Sequence, residues 1–317
     1  MRIFFLLIFS TGIAVAQTYP DKPVRLVVGY SAGGPTDVIA RVIAQDMTTS
    51  LHQSVVVENK TGANGLIGTM EVKKAAPDGY TVLMTTLSHN VNAILMAEKK
   101  PYDPIADFAP VSLVCFLPLV LVAKGDSPVN SVADLINQAK ANPDQVSYAS
   151  AGNGGSAHLA AALLATLSKT QMTHVPFRGN APALTEVMAG RVTFMFYPMV
   201  GISEQGAQKR LKAIAVSTPV RHPDYPGVPT MAESGFPGFE EYTQGLGLVA
   251  PGGTPAAAIG KLNAAVRASL AKRETKTRLA ALGAITQASS PEEFTEFLKK
   301  DAERWARVIK AAGVKEE

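Results

Sequence analysis

Apolar positions along this chain follow two rhythms that take turns. Short apolar-rich runs lie at residues 24–30, 54–59, 81–85, 146–150, 172–176, 192–197 and 211–216. Between them, apolar residues return every three or four positions, the spacing of one helix face. In residues 36–47, for example, Val38, Ile39, Val42 and Ile43 make one stripe. The pattern predicts strands at the runs and helices at 36–47, 65–75, 132–141, 156–168 and 181–189. Ser131 is placed to cap the helix that follows it. A longer apolar run, 111–123, contains Pro118 and reads as buried strand. After Pro229 come a short helix, a loop at 235–242 and a strand at 245–250. The rest is helical. Ile259, Leu262, Val266 and Leu270 form one stripe, and Phe294, Phe297, Leu298, Trp305, Val308 and Ile309 another.

Strands that alternate with helices predict an α/β protein with largely parallel sheets. The alternation runs as two blocks, 24–123 and 126–240, followed by a helical tail. One economical arrangement has two α/β lobes joined by two crossing strands. Residues 17–123 and 245–317 then make the first lobe, and residues 124–244 the second. A ligand would bind in the cleft between them, at carboxyl ends of strands.

The first residues add a compartment. Met1-Arg2 is a short positive start, residues 3–8 are apolar, and Ala14-Val15-Ala16 is a small-x-small site. This predicts a signal peptide, residues 1–16, removed on export. The alternative, a membrane anchor, needs about 20 apolar residues and the segment is shorter. The single cysteine, Cys115, excludes an internal disulfide and reads as an inert core thiol. A net charge of +4 is modest, and no basic run carries interleaved aromatics, which argues against nucleic acid as a partner.

Several strand-end turns are rich in donors. Tyr30-Ser31-Ala32-Gly33-Gly34-Pro35-Thr36-Asp37 joins the first strand to the first helix. Its glycines let the backbone approach a ligand, and Pro35 suits the first helical position. Free amides and the helix dipole beyond it make an anion site, with Asp37 capping amides, orienting a water or receiving a donor. An ordinary capped turn explains the same residues. A second turn, Ser150-Ala151-Gly152-Asn153-Gly154-Gly155-Ser156-Ala157-His158, repeats the arrangement. It matches a relaxed dinucleotide fingerprint, but the next strand ends without an acid to hold a ribose. Ser156 is placed to cap its helix and donate to an anion, and His158 lies in the first turn. Ser88-His89 adds donors after the 81–85 strand, Arg178 offers a bidentate carboxylate contact, and Tyr197 ends another strand. Catalysis finds little support. The chain lacks a G-x-S-x-G elbow, an H-E-x-x-H motif and Cys/His metal spacing, so no catalytic residue, metal or cofactor is assigned. An enzyme using His158 and Asp37 is the competing class.

Several segments together carry a family resemblance. They are Tyr19-Pro20-Asp21-Lys22-Pro23-Val24-Arg25, Gly33-Gly34-Pro35-Thr36-Asp37, Val56-Val57-Glu58-Asn59-Lys60 with Gly62-Ala63-Asn64-Gly65, and Pro77-Asp78-Gly79-Tyr80-Thr81. Further along come Tyr102-Asp103-Pro104, Gly152 to His158, Val175-Pro176-Phe177-Arg178-Gly179, Val228-Pro229-Thr230-Met231-Ala232-Glu233-Ser234-Gly235 and Ala250-Pro251-Gly252-Gly253-Thr254-Pro255. In this order, over essentially the whole mature chain, they resemble Bug-type receptors, the extracytoplasmic components of tripartite tricarboxylate transporters. The resemblance implies a type II-like, two-lobed periplasmic-binding-protein fold that closes on a small carboxylate. Dicarboxylates, aromatic ones included, are the usual ligands. It also implies a monomer that serves membrane transporter components, or a membrane sensor kinase in their place. Carboxylates would be held by residues 31–37 and 150–156, directly or through water. The chain departs from the family at Gly190-Arg191-Val192-Thr193-Phe194-Met195-Phe196-Tyr197, where relatives carry acids, and near Tyr242, where they tend to have tryptophan. Loss of an acid suits a more anionic or more apolar ligand, with Tyr197 free to stack on a ring.

Overall fold

The computed structural model describes residues 19–99, 101–200, 202–223 and 225–315; the expected signal peptide lies outside them. The first block folds as β1 (Val24–Val28), α1 (Pro35–Leu51), β2 (Val55–Asn59), α2 (Leu66–Lys73), β3 (Thr81–Thr85) and α3 (Ser88–Leu95). Pro35 sits in the first turn of α1. There its missing N–H removes no helical bond.

Next come β4 (Phe108–Leu117) and β5 (Leu119–Lys124). Their sequence is the apolar run expected as one strand. Pro118 divides it, and the halves lie in different sheets. A proline has no N–H to continue a ladder, so the chain leaves one sheet and enters the other at this residue. The second block is α4 (Val132–Ala141), β6 (Ser147–Ser150), α5 (Ser156–Ser168), β7 (Thr173–Pro176), α6 (Asn180–Met188), β8 (Phe194–Pro198), α7 (Ile202–Ala207) and β9 (Leu211–Val216). The Ser131 hydroxyl accepts from the Asp134 amide and caps α4. The short helix expected after Pro229 is instead a set of turns, closed where Gly235, Pro237 and Gly238 interrupt helical pairing. The tail is β10 (Gln244–Pro251), α8 (Ala256–Ala271), α9 (Arg273–Ala281), β11 (Ile285–Thr286) and α10 (Pro291–Ala312).

The strands form a six-stranded sheet ordered β11-β4-β10-β3-β1-β2 and a five-stranded sheet ordered β7-β6-β8-β5-β9. β1 pairs in parallel with β2 and β3, and β6 with β7 and β8. The strands linking the blocks run antiparallel to these neighbours: β10 against β3, and β5 against β8. Each sheet carries its own apolar core. Leu26, Ile39, Ile43, Val82 and Leu262 belong to the first. Leu121, Leu159, Phe194, Phe196 and Ile214 belong to the second. Two lobes result, with parallel strand ends facing each other across a cleft.

Helix α10 belongs to both lobes. Phe294 and Leu298 pack with Val27, Leu83, Leu113 and Val249 of the first. Trp305, Val308, Ile309 and Ala312 join the core of the second. A capping box starts the helix: Glu293 N–H donates to the Ser290 hydroxyl, and the Ser290 N–H to the Glu293 carboxylate.

Candidate functional site: a cleft between the lobes

A cavity of about 410 Å³ lies in this cleft. Its first-lobe wall is Gly29 and Tyr30 at the end of β1, the turn Gly62 to Leu66 after β2, and Asn92, Leu95 and Met96 on and after α3. Its second-lobe wall is Ala151, Gly152 and Asn153 after β6, and Pro176, Phe177 and Arg178 after β7. All but the α3 face are turns at carboxyl ends of parallel strands. Leu66, Leu95, Met96 and Phe177 make an apolar side; Asn64, Asn92 and Asn153 supply amides. Arg178 is the one formally charged side chain in the lining, and it is exposed.

The expected site residues divide between cavity and scaffold. Tyr30, Gly152, Asn153 and Arg178 line the cavity. Ser31 lies at its edge, against Gly179 of the other lobe. Ala32 and Gly33 face solvent, and Gly34 caps α1 from a buried position. Thr36 and Asp37 are buried in the first turn of α1. The Asp37 carboxylate accepts from the Gly33 amide, Arg41 and Asn59, each at 2.9 Å. Burial pushes its pKa up, but these donors outweigh burial and hold it below the usual carboxylate range. Asp37 therefore fixes the turn from within.

Ser88 bonds Thr86 at 2.9 Å, and Thr86 reaches the Tyr30 hydroxyl at 3.2 Å. His89 is buried, 2.8 Å from the Pro104 carbonyl, with its ring against Tyr102 and Phe108. Burial pushes its pKa down to about 4. In the second turn the Gly152 amide donates to the Ser150 hydroxyl, which also pairs with His174 Nε2 at 2.7 Å. The Gly154 amide donates to His158 Nδ1 at 3.0 Å. The His158 and His174 rings stack at 3.9 Å. Burial depresses both pKa values, and for His158 the neighbouring imidazole adds to it. Gly155 is the N-cap of α5, so Ser156 is the first helical residue and not the cap. Tyr197 is buried in the second core, on β8 beside Val120. The aromatic rings in the cavity wall are Tyr30 and Phe177.

Sequence reasoning missed the turn after β2 and the α3 wall. The first had a visible signal, since Gly62-Ala63-Asn64-Gly65 also follows a strand and precedes a helix. The second had little. Ser88-His89-Asn90-Val91-Asn92 is poor helix-forming sequence, and packing supplies what propensity lacks. Among the described residues no three His, Cys, Asp or Glu side chains are grouped to hold a metal ion.

Two lobes with separate cores, and a cleft walled by strand-end turns, define the two-lobed architecture of periplasmic solute-binding proteins. The same fold is found in solved proteins of related sequence. The periplasmic binding protein BugD is 36% identical with a TM-score of 0.89, over 94% of this chain and all of that one. MatC of Rhodopseudomonas palustris, solved with bound malate, is 34% identical with a TM-score of 0.87, over 92% of this chain and all of that one. Rpa4515 of R. palustris, solved with adipate, is 33% identical with a TM-score of 0.89, over 94% of this chain and 99% of that one. The family model described as tripartite tricarboxylate transporter family receptor matches residues 39–314, and the chain belongs to this family.

Proposed function

We propose that this protein is an extracytoplasmic receptor for a small dicarboxylate with an apolar, aliphatic or aromatic body. It delivers that ligand as a monomer to the membrane components of a tripartite transporter, after a signal peptide is removed at Ala16. The observation that carries the ligand class is Arg178. Its guanidinium stands at an otherwise uncharged cavity, with no hydrogen bond or ion pair to it among the described residues. An unspent guanidinium suits one carboxylate in bidentate fashion. The neutral amide of Asn153 suits the second, and Leu66, Leu95, Met96 and Phe177 suit the body between. Malate in MatC and adipate in Rpa4515 support a diacid. The competing enzyme reading needs His158 and Asp37 as reactive groups, but both are occupied in building turns.

The test is a thermal-shift screen of residues 17–317 against malate, adipate, terephthalate, benzoate and neutral amides. A ligand at 100 times its Kd stabilises the folded state by about 2.7 kcal/mol, a shift of several degrees. A diacid is expected to give it. Arg178→Gln is expected to weaken that diacid roughly 10- to 100-fold while leaving the ligand-free melting point unchanged. Shifts with neutral amides and none with any acid would overturn the ligand class.

A further inference from the structure

Asn64 is held more tightly than a cavity-lining residue needs to be. It has φ 49°, in the left-handed region, between Ala63 at 45° and Gly65 at 83°. Asparagine tolerates this conformation better than most residues, yet a run of such residues with Asn64 buried in it is strained and needs its surroundings to hold it. Three hydrogen bonds within the first lobe do so. The Tyr30 hydroxyl donates to Asn64 Oδ1 at 3.0 Å, Asn64 Nδ2 donates to Asn92 Oδ1 at 3.2 Å, and Asn92 Nδ2 donates back to the Asn64 carbonyl at 3.1 Å.

The other side of Asn64 meets the second lobe. A Cβ on Gly152 would lie 3.3–3.4 Å from its backbone and Cβ, a Cβ on Gly155 3.4 Å from Oδ1, and a Cβ on Gly154 3.5 Å from Nδ2. The glycine-rich turn therefore presents a face free of side chains, and Asn64 fills it. The turn is braced from behind by Ser150, His158 and His174. These cross-lobe contacts exist only while the lobes are together.

We propose that Asn64 is the closure latch of the receptor: a positioning residue, preset by Tyr30 and Asn92, that seats in the glycine socket of the second lobe when the cleft shuts. The inference rests on the receptor reading and adds to it the device that retains the ligand. The glycines of the second turn are then required to admit Asn64, beyond any contact of their amides with a carboxylate.

Asn64→Gly tests this, because glycine accepts the backbone conformation without strain and removes the seated side chain together with its bonds to Tyr30 and Asn92. Relief of backbone strain offsets the lost bonds, so its ligand-free melting point is expected to stay within a few degrees of the wild-type value. Spin labels at Lys74→Cys and Lys140→Cys, both exposed positions in different lobes, report lobe separation; buried Cys115 does not compete for label. In the ligand-free protein Asn64→Gly is expected to shift the distance distribution toward the open form. With adipate as the probe, koff is expected to rise roughly tenfold with kon little changed. An unchanged distribution and an unchanged koff would overturn the latch, as would a large loss of melting temperature with no change in lobe separation. If no acid binds the wild-type protein, the receptor's ligand class fails, and the ligand-free distances still decide the latch.

Discussion

At the scale of the residue, the histidines do structural work that pH can expose. His89, His158 and His174 are held neutral by burial, with pKa values below the ordinary 6.5. The unfolded chain takes up protons on them below about pH 6.5, while the folded one resists until near pH 4. Stability is therefore flat on their account above pH 7 and falls as pH drops from about 6.5. Calorimetry from pH 8 to pH 5 is expected to show that decline before the carboxylates titrate. His174→Gln is expected to make it shallower by that residue's share, and an equal decline in the variant would assign the loss to groups other than His174. Side-chain chemistry was the part of the site most open to misreading. A histidine beside a glycine turn looks the same in sequence whether it faces a ligand or braces the turn. Arg178 was legible as a residue that a strand-end turn carries to the cavity. Asn64 was not, since its role depends on a neighbour from the other lobe.

At the scale of the element, boundaries marked by local chemistry were readable. α4 begins at its serine cap and α5 at its glycines. The β4–β5 run was not, because apolar content alone cannot say that two halves of one run enter different sheets. Nor was α3, whose helical state comes from packing. The amphipathic stripe of α10 was plain in sequence, but not that it faces two cores in succession. Trp305 is fully buried in that helix. Trp305→Ala is expected to cost about 3–5 kcal/mol, measured by urea titration, while Ser290→Ala at the cap costs about 1 kcal/mol. Similar costs for the two would mean that the second-lobe end of α10 is dispensable.

At the scale of the whole molecule, α10 ties two cores that the crossing strands alone would join loosely. The wild-type protein is expected to unfold in one calorimetric transition, and Trp305→Ala to separate it into two. Two transitions in the wild type would show that the lobes are independent. The fold class and the division into blocks were legible because parallel α/β architecture repeats a simple alternation. The geometry of closure was not, because it depends on surfaces that meet only after both lobes exist.

The sheet order has a consequence for how the molecule is made. β10 lies between β3 and β4, although it is synthesised long after both. A ribosome delivering this chain N-terminus first releases β1 to β4 with a gap in their sheet, which stays open through the whole second block. Pairing across so long a sequence separation is slow, so the first lobe remains unfinished until the end of translation. A nascent chain with that delay completes its first lobe only when its last quarter arrives.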